Sequence, residues 1–366
     1  MARLRFSTWF LQEQSTFDKH FSLFRELLTH TSGDVDEALD WLKELNEEYQ
    51  ITTPEYTLDD FIEELKQRGF LREVIDEGGT EPGLAITAAT ERLLRKDALD
   101  QIFGQLKKSS HGSHKTPWSG RGDEHTGDVR PYQFGDTPDS NSMTESLRNA
   151  HINHGELKLT EDDLVVDDTH RMARMATVLM IDISHSMILY GEDRITPAKK
   201  VAMALAELIT TRYPKDSLDI LVFGNEAWPI TIAELPYLKV GPYHTNTVAG
   251  LELALDLLCK RKDANKQIFM ITDGKPSCIA ERDGTFYKNS VGLDDYIVGR
   301  CYNMAAQARR LGVPITTFMI ASDPYLQQFV QHFTAANQGK AFYTGLKNLG
   351  ELIFEDYETN RKKRIR

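Results

Sequence analysis

Cysteine is scarce in this chain: three residues in 366, Cys259, Cys278 and Cys301, an odd number without C-x-x-C spacing. That pattern excludes a disulfide framework and a thiolate zinc site, and it fits a reducing, cytoplasmic setting. Long apolar runs are lacking too, and none reaches the length that spans a bilayer. The start, Met1-Ala2-Arg3-Leu4-Arg5, is followed by Ser7, Gln12, Glu13 and Gln14 among apolar residues, which breaks any signal-peptide core. An extracellular adhesive role is accordingly not expected. Positive charge is in deficit, with 43 Lys and Arg against 55 Asp and Glu and a formal net charge of -12. Binding nucleic acid through the whole surface needs a dense basic face, so any such binding has to be local. No G-x-x-x-x-G-K-[ST] run occurs, and the chain is not expected to hydrolyse nucleotide by itself.

The length that is present allows two domains, or one large domain with an appendage. Helical spacing of Phe21, Phe24, Leu27 and Leu28, and again of Phe61, Leu65 and Phe70, predicts a mainly helical N-terminal region over residues 1–106. Within it, residues 71–75 and 84–87 flank Gly78-Gly79-Thr80-Glu81-Pro82-Gly83, which predicts a hairpin between helices and a winged-helix-like unit. Residues 107–150 read as a flexible linker, rich in Gly and Pro and with almost no aliphatic residues in their first part. Trp118, Tyr132 and Phe134 point to part of that linker docking on a folded surface. His111, His114 and His125 are irregularly spaced and read as solvated loop residues rather than a metal tract.

Residues 172–366 alternate apolar strands with amphipathic helices. The run 176–181 is apolar throughout except for Thr177, as befits a strand covered on both faces. Thr196 offers an N-cap with Pro197 at the first helical position, and Val201, Leu205, Leu208 and Ile209 share one face. Strands follow at 218–223, 228–232 (an edge), 268–272, 314–320 and 341–343, with helices from Thr247, over 295–311 and 326–335, and from Leu346. A long polar loop separates Asp273 from the third helix. The fold class expected is α/β, a Rossmann-like doubly wound, mostly parallel sheet preceded by a smaller, mainly helical region.

The chemistry concentrates after the strand 176–181, in Asp182-Ile183-Ser184-His185-Ser186, with Thr245 and Asp273 downstream. In a doubly wound sheet, ligands bind beyond the carboxyl ends of the strands where strand order reverses, and both aspartates stand at such ends. Two carboxylates and the neutral hydroxyls of Ser184, Ser186 and Thr245 form an oxygen-only donor set for a hard divalent cation. Few protein ligands, with water completing an octahedron, favours Mg²⁺, with Mn²⁺ or Ca²⁺ as alternatives. Carboxylates this close repel one another, which raises a pKa until a cation binds.

Asp182-x-Ser184-x-Ser186, Thr245 within His244-Thr245-Asn246-Thr247, and Thr272-Asp273-Gly274 resemble the metal-ion-dependent adhesion site of von Willebrand factor A (VWA) domains, over residues 172–366. The resemblance implies a metal held by Asp182, Ser184, Ser186, Thr245 and Asp273 and bridging to an acidic residue of a partner protein. Pro131-Tyr132-Gln133-Phe134-Gly135-Asp136-Thr137 and the helical stretch ending Thr87-Ala88-Ala89-Thr90-Glu91-Arg92-Leu93-Leu94 are similar to bacterial proteins of the magnesium-chelatase D subunit type. Members of that branch are partnered with MoxR-type AAA+ ATPases, so a non-enzymatic, cytoplasmic adaptor is implied. The chain departs from a true chelatase subunit in lacking an AAA+-like module ahead of the VWA region.

Rival readings use the same residues. A metal-dependent phosphohydrolase of the haloacid-dehalogenase kind also places an aspartate after its first strand, but its second acid is replaced here by Ser184. His185 lies between the two serines, yet adjacent residues of an extended turn point apart, which disfavours a nucleophile and base pair. A nucleic-acid-associated regulator would use the N-terminal region, or the basic stretch Arg361-Lys362-Lys363-Arg364-Ile365-Arg366, which reads more simply as a frayed helix end.

Overall fold

The computed structural model describes residues 15–74, 83–106, 124–132, 141–155, 159–170, 174–191, 193–261, 265–289, 291–320, 323–343 and 349–362. The chain divides into two compact units, Met1–Ser109 together with Met175–Arg366, and Ser110–Arg174.

The first unit opens with helices α1 (Thr16–His30), α2 (Val35–Tyr49) and α3 (Leu58–Gln67), a hairpin of β1 (Leu71–Val74) and β2 (Gly83–Ile86), and helix α4 (Ala88–Leu106). Each of the first three helices has a side-chain cap: Ser15 accepts from the Asp18 N–H, Asp34 from Glu37, and Thr57 with Asp60 forms a reciprocal capping box. Phe21 packs on Phe70 with ring centroids 4.4 Å apart, and Phe24 meets Phe61 edge to face at 6.1 Å. The hairpin pairs Leu71 with Ile86, both buried.

The second unit holds strand β3 (Glu124–Pro131), helix α5 (Met143–His154) and strand β4 (Val165–His170). The stretch expected as a linker, 107–150, thus contributes a strand and a helix. Backbone pairing accounts for this: β3 lies antiparallel to β4 with a register shift between His125 and Val129, so its partner supplies what its sparse aliphatic content does not. The Ser146 hydroxyl accepts from the Val165 N–H at 2.9 Å, and buried Asp163 accepts from Asn153 and Thr160. Tyr132 is half-buried and donates its N–H to the Leu164 carbonyl at 2.9 Å. Trp118, Phe134, His111 and His114 lie outside the described residues, as do residues 133–137 of the motif that begins at Pro131 and residues 363–366 of the basic stretch.

The rest of the first unit runs β5 (Met175–Asp182), α6 (Ile195–Arg212), β6 (Ser217–Phe223), β7 (Ala227–Ile230), α7 (Thr247–Lys260), β8 (Asn265–Thr272), β9 (Cys278–Ala280), β10 (Phe286–Lys288), α8 (Asp295–Arg310), β11 (Ile315–Met319), α9 (Pro324–Asn337), β12 (Lys340–Tyr343) and α10 (Leu349–Lys362). Six strands form one sheet in the order β12-β11-β8-β5-β6-β7. All neighbours are parallel except β7, which closes the edge antiparallel to β6. Every residue of β5 is buried, with Leu179 and Ile181 in one core and Val178 and Met180 in the other. The fold is therefore the mixed α/β, largely parallel architecture expected, and strand order reverses at β5 and β8.

One core joins the sheet to α6, α10 and the N-terminal helices; the other joins it to α7, α8 and α9. Phe24, Leu28 and Leu94 share the first with Ala202 and Leu205 of α6, so the N-terminal helices continue the core on that face of the sheet. Fully buried Lys199 of α6 donates to the Thr29 carbonyl and the Ser32 hydroxyl, each at 2.9 Å. Helix α6 begins at Ile195, before the expected Thr196 cap, and Asp193, two residues ahead of it, accepts the Thr196 N–H at 3.0 Å. Helix α10 is keyed by polar contacts: Asp356 accepts from Thr316 at 2.6 Å, Tyr357 donates to Asp216 at 2.8 Å, and Asn360 donates to Gln267 at 2.9 Å. The polar loop after Asp273 contains the β9–β10 hairpin, whose three-residue strands were too short for periodicity to reveal.

Candidate functional site

The first members of the site come from the register of the central strands. Strands β5 and β8 pair in parallel with Ile181 opposite Ile271, which brings Asp182 and Thr272 level at their carboxyl ends. The Thr272 hydroxyl donates to Asp182 Oδ2 at 2.7 Å, and the Ser184 N–H donates to Oδ1 at 2.9 Å. Both aspartates are buried, Asp182 at 0% exposure and Asp273 at 3%.

The hydroxyls link the two acids. Ser184 Oγ and Ser186 Oγ lie 2.9 Å apart, and Ser186 also donates to the Asp273 carboxylate. Asp273 further accepts the Lys275 N–H at 3.3 Å, across a turn in which Gly274 has φ +91°. A side chain there would be strained and would press on Met319, so glycine is required.

Thr245 is delivered by a segment stitched to both neighbours. The His185 N–H donates to the Tyr243 carbonyl and the Gly241 N–H to the Ile183 carbonyl, at 3.0 and 3.1 Å. On the other side, the Thr245 N–H donates to Ser277 Oγ at 3.0 Å, and the Ser277 and Cys278 N–H groups donate back to the Thr245 carbonyl. The buried Asn246 caps α7, accepting from Ala249 at 3.0 Å, and its amide donates to the Asn225 carbonyl at 2.8 Å. The Tyr243 ring lies against Gly224 and Gly241, where an added Cβ would come within 2.8 and 2.1 Å of it.

Of the five residues read from the sequence, Asp182, Ser184, Ser186 and Asp273 meet at the carboxyl ends of β5 and β8, and Thr245 lies in the segment before α7 whose backbone is bonded to Ser277 and Cys278. Four further participants were missed. Thr272 stood inside the motif without a role, Ser277 and Asn246 act through backbone geometry that spacing does not encode, and Arg194 is separated from the motif in sequence. The Arg194 guanidinium lies 4.0 Å from Asp273 Oδ2 and is 12% exposed.

Burial raises the pKa of Asp182, and the neighbouring Asp273 charge raises it further. Asp273 is also raised by burial, against the pull of Ser186, the Lys275 N–H and the Arg194 and Lys275 charges. His244 is lowered by burial and by Lys288 and Lys275. His185 is exposed and offers its backbone, not its ring, to the packing described. Among the described residues no group of three or more His, Cys, Asp or Glu is arranged to hold a metal, so any ion here depends on hydroxyl ligands beside the two acids.

This combination of fold and strand-end site defines a VWA domain. The chain belongs to the Rv0959-like proteins, whose vWA domain matches residues 175–358 and whose third domain matches residues 124–169. It is similar to the uncharacterized protein Rv0959 of Mycobacterium tuberculosis and the uncharacterized protein Mb0984 of Mycobacterium bovis. Each is 31% identical over 316 residues, covering 84% of this chain and 46% of the relative. The chain therefore spans about half the length of the curated relatives it matches. In fold it is similar to the PilB minor pilin of Streptococcus sanguinis, with 13% identity, 54% of this chain and 64% of that one covered, and a TM-score of 0.43. The vWF domain of the type V pili tip protein Mfa5 of Porphyromonas gingivalis matches at 12% identity, 53% and 98% coverage, and a TM-score of 0.42.

Proposed function

We propose that this protein is a non-enzymatic, Mg²⁺-dependent protein-interaction module, working in the cytoplasm as adaptor or cofactor of a MoxR-type AAA+ ATPase. The observation that carries the reading is the pair of buried carboxylates, Asp182 and Asp273, joined through the hydroxyls of Ser184 and Ser186. The donor set fits the ion: hard oxygen ligands, two negative charges whose burial is unfavourable on its own, and hydroxyls that add ligands without adding charge. Asp182, Ser184, Ser186, Thr245 and Asp273 would hold it. Once bound, a divalent ion supplies an open coordination position to a carboxylate from a partner.

The residues around the site position these ligands. Thr272 and the Ser184 N–H orient the Asp182 carboxylate, Asn246 and Ser277 hold the Thr245 segment, and Arg194 offsets part of the Asp273 charge. The cytoplasmic assignment is supported by Cys259, Cys278 and Cys301, which are all free. Among the described residues no helix is long and apolar enough to cross a membrane.

Calorimetry with Mg²⁺ and Mn²⁺ tests the metal assignment: Asp182→Ala is expected to abolish binding while thermal unfolding stays cooperative, and unchanged affinity would sink it. Pull-downs with and without EDTA test the adaptor role, with metal-dependent recovery of an AAA+ ATPase expected. Turnover of a generic phosphate ester that disappears in Asp182→Asn would replace the adaptor reading with a phosphohydrolase.

A further inference from the structure

The two strand-end acids differ in what lies against them. Asp182 is held by neutral donors, the Thr272 hydroxyl on Oδ2 and the Ser184 N–H on Oδ1. Asp273 also has neutral donors, Ser186 and the Lys275 N–H, the second of them on Oδ1. Its other oxygen, Oδ2, faces a cation: a guanidinium nitrogen of Arg194 stands 4.0 Å away, on a side chain that is itself largely buried. That separation is too long for a hydrogen bond, so charge holds this pair together. Burial limits how far solvent and salt can screen it.

The backbone that presents Arg194 is pinned. Its N–H donates to the Met187 carbonyl at 3.0 Å, and the Met187 N–H donates to the Ser184 carbonyl, which ties the turn to the loop that carries Ser184 and Ser186. The Arg194 carbonyl accepts the Ala198 N–H at 3.4 Å, inside the first turn of α6. Asp193, one residue earlier, accepts the Thr196 N–H at 3.0 Å and lies 3.7 Å from His30 of α1. A fixed turn thus delivers the guanidinium to Asp273, and only the side chain has to move for the contact to open.

An arginine in this place has opposite effects on the two states of the site. Before an ion binds, it offsets the unfavourable burial of the Asp273 charge. Toward a divalent ion it is a competitor, since it already neutralises part of that carboxylate and repels any cation brought to the same oxygen.

We propose that Arg194 is a resident counter-ion of Asp273 that a divalent ion has to displace, and that it thereby sets the ion affinity of the site. This rests on the metal reading above and deepens it. Removing the Arg194 charge should tighten ion binding while destabilising the protein in EDTA. A residue that only positioned Asp273 would weaken ion binding when removed, so the direction of the change separates the two roles.

Calorimetry with Mg²⁺ and thermal unfolding in EDTA, both on the full chain, read the two effects. Arg194→Gln is expected to bind Mg²⁺ about tenfold more tightly at low salt and to unfold at a lower temperature in EDTA. Arg194→Lys keeps the charge and should stay within about threefold of the unaltered affinity. Arg212→Gln makes the same charge change at the far end of α6 and should stay within about twofold. Arg194→Met replaces the Gln variant if that one does not fold. Unchanged or weaker Mg²⁺ binding on loss of the Arg194 charge overturns the proposal, as does an unfolding temperature in EDTA that does not fall. An equal gain in Arg194→Lys or Arg212→Gln also overturns it. Mg²⁺ binding by neither the unaltered chain nor Arg194→Gln defeats the metal reading and the proposal with it, whereas binding by the unaltered chain that Arg194→Gln leaves unchanged defeats the proposal alone.

Discussion

Asp182 illustrates how a residue proposed to hold a ligand opposes the stability of the fold around it. Its carboxylate is wholly buried beside a second acid, and two donors, Thr272 and the Ser184 N–H, hold it in place. An amide of the same shape keeps an acceptor for one of those donors, the Thr272 hydroxyl can turn to accept from the amide NH2, and the buried charge is removed. Asp182→Asn is therefore expected to stabilise the metal-free protein at neutral pH by about 1–2 kcal/mol while losing divalent-ion affinity. Urea titration in EDTA checks this, and a loss of stability would show that the charge is already fully compensated. At this scale the motif was highly legible, because Asp182, Ser184, Ser186, Thr245 and Asp273 were picked out by their side-chain identities alone. Arg194 was not, since its relevance arises only when the turn before α6 folds against Asp273.

Among the elements, the capped start of α7 and the docked end of α1 make the sharpest claims. Asn246→Ala removes both the helix cap and the bond to the Asn225 carbonyl. It should cost about 1–2 kcal/mol and weaken metal binding through Thr245, measured by chemical denaturation and calorimetry on the same variant. His30 of α1 lies 3.7 Å from Asp193, in the turn that leads into α6, and 3.6 Å from Glu26. Those carboxylates push its pKa up from 6.5 to about 9. The folded value exceeds the unfolded one, so this contribution is complete below about pH 6.5 and disappears as pH rises through 9. The groups are partly exposed, which makes the effect modest and sensitive to salt. Amide exchange in α1 should accelerate over that window, and His30→Gln should flatten the profile. Long strands and helices such as β5, α7 and α8 were readable from apolar spacing over many residues. Strands β3, β9 and β10 were not, because their order comes from backbone partners that composition does not display.

For the whole molecule, the decisive fact is a core shared across the expected boundary near residue 106. Phe24, Leu28 and Leu94 pack with Ala202 and Leu205, and buried Lys199 ties α6 to the end of α1. The N-terminal helices and the sheet are therefore expected to unfold as one cooperative unit. Chains retaining only Trp41 or only Trp228 report the two regions separately, and their denaturant midpoints should coincide. Distinct midpoints would mean that the N-terminal helices fold independently. The sequence showed two differently patterned regions but not their union, since periodicity reveals that a helix has an apolar face without revealing what covers it.

The polar keying of α10 has a mechanical consequence. A helix packed by aliphatic side chains alone can ratchet one turn, about 5.4 Å, and exchange one set of contacts for an equivalent set. Asp356, Tyr357 and Asn360 have specific partners on Thr316, Asp216 and Gln267, and a slide of one turn would break all three partnerships. Each broken partnership costs about 1–3 kcal/mol, which makes such a slide prohibitive. The terminal helix is thus a fixed strut rather than a piston, so under the proposed reading a ligand at the strand-end site would be sensed by the loops that carry Thr245 and Lys275.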